Sequence, residues 1–131
     1  RSNATSWPSA SSDSRAAEYG WHPLAMIVIV VKQPVRAKYA DEWPTLVKDF
    51  TEATRAEPGN ISFDWYRSPE DPNLWVGVDV FRDAEAGKAH VESAHFQDAI
   101  AQMPRWLAAA PEIIHIEGES EGWTGVKEGA S

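Results

Sequence analysis

The chain has 131 residues, of which 43% are apolar and 24% are charged, and this composition is typical of a single globular domain. It carries 12 Lys and Arg against 20 Asp and Glu, and the net charge of −8 argues against nucleic acid or an anionic membrane as a partner. The absence of Cys excludes disulfides and thiolate metal sites, and the longest apolar run, residues 24–31, is too short to span a bilayer, so we expect a soluble cytoplasmic protein.

The two ends of the chain lack the periodicity of packed elements. Residues 1–21 are rich in Ser and Ala, and the first few are typical of a sequence left by an expression vector. Residues 119–131 are rich in Gly and Glu. We therefore predict an N-terminal tail, one domain over residues 22–118, and a C-terminal tail.

The first half of the domain predicts a strand followed by a helix. The β-branched run at residues 25–31 is continuous, as in a strand that is buried on both faces. Apolar residues then recur at the spacing of an amphipathic helix. Because Pro44 is tolerated only in a first helical turn, the regular helix should begin near Ala40 or Asp41, and the Pro-Gly pair that follows should end it.

A hairpin follows. Residues 61–67 and 74–81 alternate in polarity, and the segment between them has the composition of a turn. The alternation places Phe63 and Trp65 on one face of the sheet and Tyr66 on the other. Either face can be the one that meets a cavity.

The last part of the domain predicts a helix in two pieces and a final strand. Asp83 and Ser93 are each suited to cap a helix, because their side-chain oxygens accept hydrogen bonds from free backbone N–H groups. Pro104 should kink or interrupt the second piece. Residues 113–116 complete the domain as the last strand.

The predicted order β-α-β-β-α-β is the ferredoxin-like split pattern, an α+β fold with an antiparallel sheet and helices on one face. The third strand is apolar on both faces, with Val76, Val78 and Val80 on one and Trp75 and Phe81 on the other. A monomer would expose a large apolar patch on the uncovered face. We therefore predict a homodimer that packs sheet against sheet.

Four short motifs occur in order along this domain. They are Arg55-Ala56-Glu57-Pro58-Gly59-Asn60, Tyr66-Arg67-Ser68-Pro69, Phe81-Arg82-Asp83, and His90 followed by Ser93-Ala94-His95-Phe96. Together they resemble the antibiotic biosynthesis monooxygenase (ABM) domain over about residues 25–117. The two His residues before a Phe, at this distance after a hairpin, are the most specific part.

The resemblance implies a dimeric α/β barrel with a cavity between each sheet and its helices. It also implies relatives that oxidise phenolic polyketides or quinols to quinones without a cofactor, relatives that degrade haem, and a branch that acts on a small phosphorylated ketone. The third strand of the family usually carries Glu two residues before a Trp, where this chain has Asp79 and Phe81. The positions typical of the haem-degrading branch also hold other residues here, so haem cleavage is not expected.

Oxygenation of a phenol without a cofactor needs a base that works near neutral pH, donors for the developing oxyanion, and walls that exclude water. His95 is the first candidate for the base, because it follows the Ser93 cap and a helix N-terminus disfavours the cationic imidazole. His90 lies near the end of the preceding helix, where the cation is favoured, so the two rings could act as base and acid. A structural role for each is the competing interpretation.

Asp79 follows the inward period of its strand and could orient His90 or a substrate hydroxyl. The competing interpretation, slightly favoured, is a salt bridge to a neighbouring cation, Arg67, Arg82 or Lys88. The two His residues and Asp79 could also hold zinc, but His residues five apart are poorly spaced on a helix. We therefore predict no metal and no cofactor.

Aromatic side chains on the sheet are the predicted substrate walls. Tyr66 could donate a hydrogen bond to a substrate oxygen. Asn60 is interpreted as a turn residue that tolerates positive φ, and His115 as structural. The substrate-binding set is Phe63, Trp65, Tyr66, Trp75 and Phe81.

Three functions remain open from the sequence. The first is a cofactor-independent monooxygenase that oxidises an electron-rich aromatic with O2. The second is a dimer that binds a small ligand without turnover, in a stress response for example. The third is an isomerase of a small ketone. A flat aromatic cavity favours the first, whereas Arg or Lys at the mouth of a small cavity favours a phosphorylated ketone.

Overall fold

The computed structural model describes residues 25–126. In chain order, its strands and helices are β1 (Met26–Pro34), α1 (Ala37–Ala40), α2 (Trp43–Leu46), α3 (Lys48–Arg55), β2 (Asn60–Arg67), β3 (Leu74–Phe81), α4 (Ala84–Val91), α5 (Ala94–Trp106) and β4 (Glu112–Gly118). The predicted N-terminal tail lies outside the described residues. No helix in the described part of the chain combines the length and the apolar character that a membrane crossing requires.

The four strands form one antiparallel sheet in the order β2-β3-β1-β4. The central pair, β1 and β3, is flanked by β4 and β2, so each β-α-β connection crosses over one strand of the sheet. This arrangement confirms the predicted ferredoxin-like α+β fold. The predicted domain limit coincides with the end of β4 at Gly118, although the division into domain and tails stays a prediction.

The segment between β1 and β2 differs from the single helix that the sequence predicts. It forms three short helices, and Pro44 lies in the first turn of α2. Because Pro has no backbone N–H, it fits a helix start and not a helix interior. The regular part of this segment is α3, which begins at Lys48.

The second helical part is split in two, as predicted. Asp83 accepts a hydrogen bond from the Ala86 N–H at 2.8 Å, and Ser93 accepts one from the Phe96 N–H at 3.2 Å. Pro104 does not interrupt the second piece, because α5 continues to Trp106, and the kink stays a prediction. Pro104 lies in the last turn, so only the end of the helix is affected by its missing N–H and its ring.

Side chains of the sheet alternate between two faces. The inner face, which carries Ile29, Val31, Phe63, Asp79 and His115, meets the helices, and the outer face lies opposite. A buried apolar cluster joins the connecting segments to α5. Its members are Val35, Ala40, Trp43, Val47, Ala99, Met103, Trp106 and Leu107.

The outer face is apolar and only partly covered in the described residues, since Met26 and Val80 are buried and other positions are not. Ile114, Ile116 and Tyr66 are each more than half exposed. Trp123, which follows β4, donates from its ring N–H to the Ser62 hydroxyl at 2.8 Å at the β2 edge of this face.

Candidate active site

A cavity of about 520 Å³ lies between the inner face and the helices. This volume is in the range of small-molecule sites. Its walls are mostly aliphatic and aromatic, and no Lys or Arg among residues 25–126 lines it. On the sheet side the lining residues are Ile29, Val31, Gln33, Phe63, Trp65, Asp79, Ile113 and His115, and on the helix side they include Phe50, His90, Phe96, Ala99, Ile100 and Met103.

His90 is the cavity imidazole that is best held in place. It is 2% exposed, and its Nδ1 lies 2.8 Å from Glu57 Oε2. Since a carboxylate oxygen accepts, Nδ1 carries the proton, and Nε2 is left with its lone pair. The ring also packs against Phe81 with centroids 4.9 Å apart. Glu57 therefore fixes both the orientation and the tautomer of His90.

The free nitrogen of His90 faces Asp79. Its Nε2 lies 3.5 Å from Asp79 Oδ2, while Asn60 donates from Nδ2 to Asp79 Oδ1 at 3.1 Å. Asp79 is buried, and none of the three predicted cations contacts it. Arg67 pairs instead with Asp41, Arg82 with Asp83, and Lys88 with Glu92.

Burial shifts both of these groups toward their neutral forms. Burial lowers the pKa of His90, against the hydrogen bond and the charge of Glu57, which raise it. Burial and then the charge of Glu57 raise the pKa of Asp79 well above its ordinary value, against the hydrogen bond from Asn60. The sequence predicts that a helix C-terminus favours cationic His90, whereas the net shift of its pKa is downward and desolvation is the largest cause.

His95 contacts Glu57 but does not line the cavity. Its Nε2 lies 2.5 Å from the same Glu57 Oε2 that contacts His90, and its side chain is 26% exposed. The structure thus brings both predicted imidazoles together through one carboxylate, but only His90 reaches the cavity. The other oxygen of Glu57, Oε1, is buried and has no hydrogen-bond partner among residues 25–126.

The same cluster has the ligand types of a metal site. One oxygen of Glu57 and one nitrogen each of His90 and His95 lie within 4.8 Å of one another. The predicted zinc alternative used Asp79 as the third ligand, but Asp79 faces the other nitrogen of His90. Both ring nitrogens of the cluster already contact the same oxygen, Glu57 Oε2.

The predicted wall residues divide between the two faces. Phe63 and Trp65 line the cavity. Phe81 lies under His90, and Trp75 donates from its ring to the Ala40 carbonyl, so neither is part of the lining. Tyr66 is on the outer face and 56% exposed, so it donates no hydrogen bond into this cavity.

Three residues of the site were given no chemical role by sequence reasoning. Glu57 belongs to the first of the four motifs, but the Pro-Gly pair that follows it was interpreted only as the end of a helix. Asn60 is a strand residue, and no residue among 25–126 other than Gly has a positive φ, so the turn interpretation of Asn60 is wrong. His115 lines the cavity from β4, and burial lowers its pKa. The alternation of the strand could have predicted that His115 faces away from its neighbours Ile114 and Ile116.

Comparisons with known proteins show the family and the fold of this chain. The family described as "Antibiotic biosynthesis monooxygenase" matches residues 26–102. "Putative monooxygenase YcnE" of Bacillus subtilis (strain 168) is 28% identical over 92 residues, which cover 70% of this chain and 97% of that protein. "Uncharacterized protein sll1783" of Synechocystis is 27% identical over 106 residues, covering 81% of this chain and 68% of its own length.

Solved structures show the same architecture. "Putative antibiotic biosynthesis monooxygenase from Nitrosomonas europaea" superposes with a TM-score of 0.66 at 25% identity, over 71% of this chain and 89% of that one. A Caulobacter crescentus structure with the same description has a TM-score of 0.69 at 22% identity, over 79% and 99%, and supports the fold alone. Because the family match spans more than half of the sequence, this chain belongs to the antibiotic biosynthesis monooxygenase family.

Proposed function

We propose that this protein is a cofactor-independent monooxygenase that oxidises an electron-rich phenol or quinol with O2. One observation carries the proposal: a buried imidazole, oriented by Glu57, presents its free nitrogen to an apolar cavity beside Asp79. This arrangement supplies a base and a dry environment to a neutral aromatic.

The reaction requires an ionised substrate. A phenolate gives one electron to O2, and the radical pair combines to form a C–O bond at the ring carbon para to the oxygen. Loss of water from the resulting hydroperoxide gives the quinone. For 1-naphthol the balance is one naphthol and one O2 to one 1,4-naphthoquinone and one water, with one oxygen atom of O2 in each product.

His90 is the proposed base. Its lowered pKa keeps Nε2 unprotonated and ready to accept the phenol proton at neutral pH. The imidazolium that forms is stabilised by Glu57 at 2.8 Å, as in other carboxylate–imidazole pairs. Asp79 retains its proton at higher pH than an exposed carboxyl does, so it acts as a hydrogen-bond donor to the developing oxyanion.

His95 contacts Glu57 as a second imidazole. It shares Glu57 Oε2 with His90 and is the more exposed ring, so it holds in place the carboxylate that orients the base. The proton that His90 accepts from the phenol returns to the peroxide formed on the ring carbon, so no net proton is released and Nε2 is free again after each turnover. The position that the sequence suggested for His95, at the substrate, is taken by His90.

The homodimer is part of the proposal. The outer face presents β-branched side chains of three strands, with Ile114 59% exposed and Ile116 52% exposed. A second copy packed on this face removes those side chains from water, which stabilises the pair. The cavity lies on the opposite face, so each protomer keeps its own site.

The isomerase alternative has less support, because no Lys or Arg of the described part of the chain lines the cavity to hold a phosphate. The deciding experiment supplies 1-naphthol and ¹⁸O2 to the purified protein and follows O2 uptake and label. One ¹⁸O atom in 1,4-naphthoquinone supports monooxygenation. The control is heat-denatured protein. If neither 1-naphthol nor any of a panel of hydroquinones gives O2 uptake above this control, the monooxygenase proposal is wrong and ligand binding without turnover is the function that remains.

A further inference from the structure

Gln33 is a buried amide at the end of the cavity that is remote from His90. It is 6% exposed and lines the cavity from β1. Its Oε1 is buried and has no hydrogen-bond partner among the described residues. A buried amide oxygen without a partner destabilises the folded state, so its presence in an otherwise apolar wall calls for an explanation.

The position of Gln33 relative to the catalytic groups follows from the strand register. Ile29 is paired with Asp79 on β3 and with His115 on β4, and Gln33 is four residues further along β1 on the same face. At about 3.3 Å per residue, the two polar ends of the cavity floor are about 13 Å apart.

The floor between these ends is apolar. Val31 occupies the middle of β1, paired with Gly77 on one side and Ile113 on the other. Gly77 has no side chain, and the ring of Trp65 lies across it. The cavity is therefore polar at both ends and apolar in the middle. This distribution fits an elongated aromatic molecule with a polar group at each end.

We propose that Gln33 forms a second polar subsite, which binds a hydroxyl group at the far end of a fused-ring aromatic substrate. This inference rests on the proposed function, because the near end of the same molecule is the phenol that His90 deprotonates. With one hydrogen bond at each end, the two substrate oxygens are about 7 to 8 Å apart. That separation suits two fused rings with a hydroxyl at each end.

The test is a binding comparison under nitrogen, so that no oxidation occurs. The probes are naphthalene-2,6-diol, which has a hydroxyl at each end, and 2-naphthol, which has one. Binding is followed by tryptophan fluorescence, since Trp65 lines the cavity. We expect the wild-type protein to bind the diol at least ~10-fold more tightly.

The variant Gln33→Met keeps the length of the side chain and removes its polar atoms. It should bring the two dissociation constants within about threefold of each other. The matched control is Lys32→Met, the adjacent exposed residue on the outer face, which should keep the wild-type ratio. Equal affinities in the wild type, an unchanged ratio in Gln33→Met, or a loss of the ratio in Lys32→Met would each overturn the subsite.

Stability gives a second readout. Without ligand, Gln33→Met should unfold at the same or a higher temperature than the wild type, because it removes an unpaired buried oxygen. A large loss of stability would mean that Gln33 is a structural group, which also overturns the subsite. Since binding is measured without O2, a protein that discriminates the probes but takes up no O2 fails the proposed function and keeps the subsite.

Discussion

The two faces of the sheet have the same strands and the same alternation, yet they have different chemistry. The inner face is an apolar wall that contains one polar residue on each of three strands. These residues are Asp79, His115 and Gln33. The outer face of the same three strands carries mainly Val and Ile, some of them more than half exposed. One face is suited to enclose a small molecule, and the other is suited to be covered.

The difference arises from single positions in otherwise apolar runs. Asp79 lies between Val78 and Val80, and His115 lies between Ile114 and Ile116. A slip of one residue in either strand would move the polar group to the outer face and leave an aliphatic side chain in the cavity. The strand register is therefore as necessary to the site as the residues themselves.

The largest expected effect is the loss of activity when the imidazole that lines the cavity is replaced. His90→Gln removes the base and should lower kcat for O2 uptake at least ~100-fold. His95→Gln leaves the base in place and weakens only the positioning of Glu57, so it should cost about tenfold. Steady-state rates with 1-naphthol measure both, and Lys48→Ala on the exposed surface of α3 is the control. Equal losses in the two variants would contradict the division of roles.

A second test targets the floor of the cavity. In Gly77→Ala, the new Cβ lies 2.7 Å from the Trp65 ring, so the ring or the strand must move. Overpacking of this kind costs about 1–3 kcal/mol in the free energy of unfolding. Gly118→Ala is the matched control, because nothing lies within 4 Å of its Cβ. Urea unfolding of both variants measures the difference, and similar losses would show that strand glycines are equivalent here.

A third test targets the outer face. Ile114→Lys places a charge on an apolar surface, and in a sheet-to-sheet dimer each copy of that charge must be desolvated. We expect a dimer dissociation constant at least ~10-fold higher, about 1.4 kcal/mol, by analytical ultracentrifugation. Glu92→Lys on the exposed end of α4 is the control. A wild-type protein that sediments as a monomer would contradict the dimer itself.

Sequence patterns predicted the fold well, because alternation and capping are local signals. The hairpin, the two caps and the faces of Phe63, Trp65 and Tyr66 all follow from neighbouring residues. The site was less accessible, because its contacts join residues far apart in the chain. Glu57 meets His90 across 33 positions, and no local period predicts that pair.

Asn60 shows a second limit of sequence patterns. The ladder between β2 and β3 shifts register between Asn60 and Ser62, so strict alternation does not extend to the start of β2. This irregularity lets the Asn60 side chain reach Asp79 on the inner face. Bulges of this kind often occur beside active sites, where they redirect one side chain. A bulge leaves no distinct mark in the sequence, so a turn was the natural interpretation.

The last expected effect concerns the pH dependence of stability. Because the pKa of Asp79 is raised in the folded state, the folded protein holds this proton where the unfolded chain has lost it. The stabilisation is complete below about pH 4, the pKa of an unfolded Asp, and is lost as the pH rises through the folded pKa. The lowered pKa of His90 acts in the opposite sense, so that stability falls as the pH drops below about 6.5.

Asp79→Asn isolates the first of these two effects. The amide retains an oxygen for Asn60 and a donor toward His90 Nε2, but it does not titrate. We expect the free energy of unfolding of the variant, relative to the wild type, to rise between pH 4 and pH 7 by no more than about 1.4 kcal/mol per pH unit, the limit for one proton. Urea unfolding at several pH values measures this difference. Parallel curves would mean that Asp79 is ionised in the folded protein and is not the proposed donor to the oxyanion.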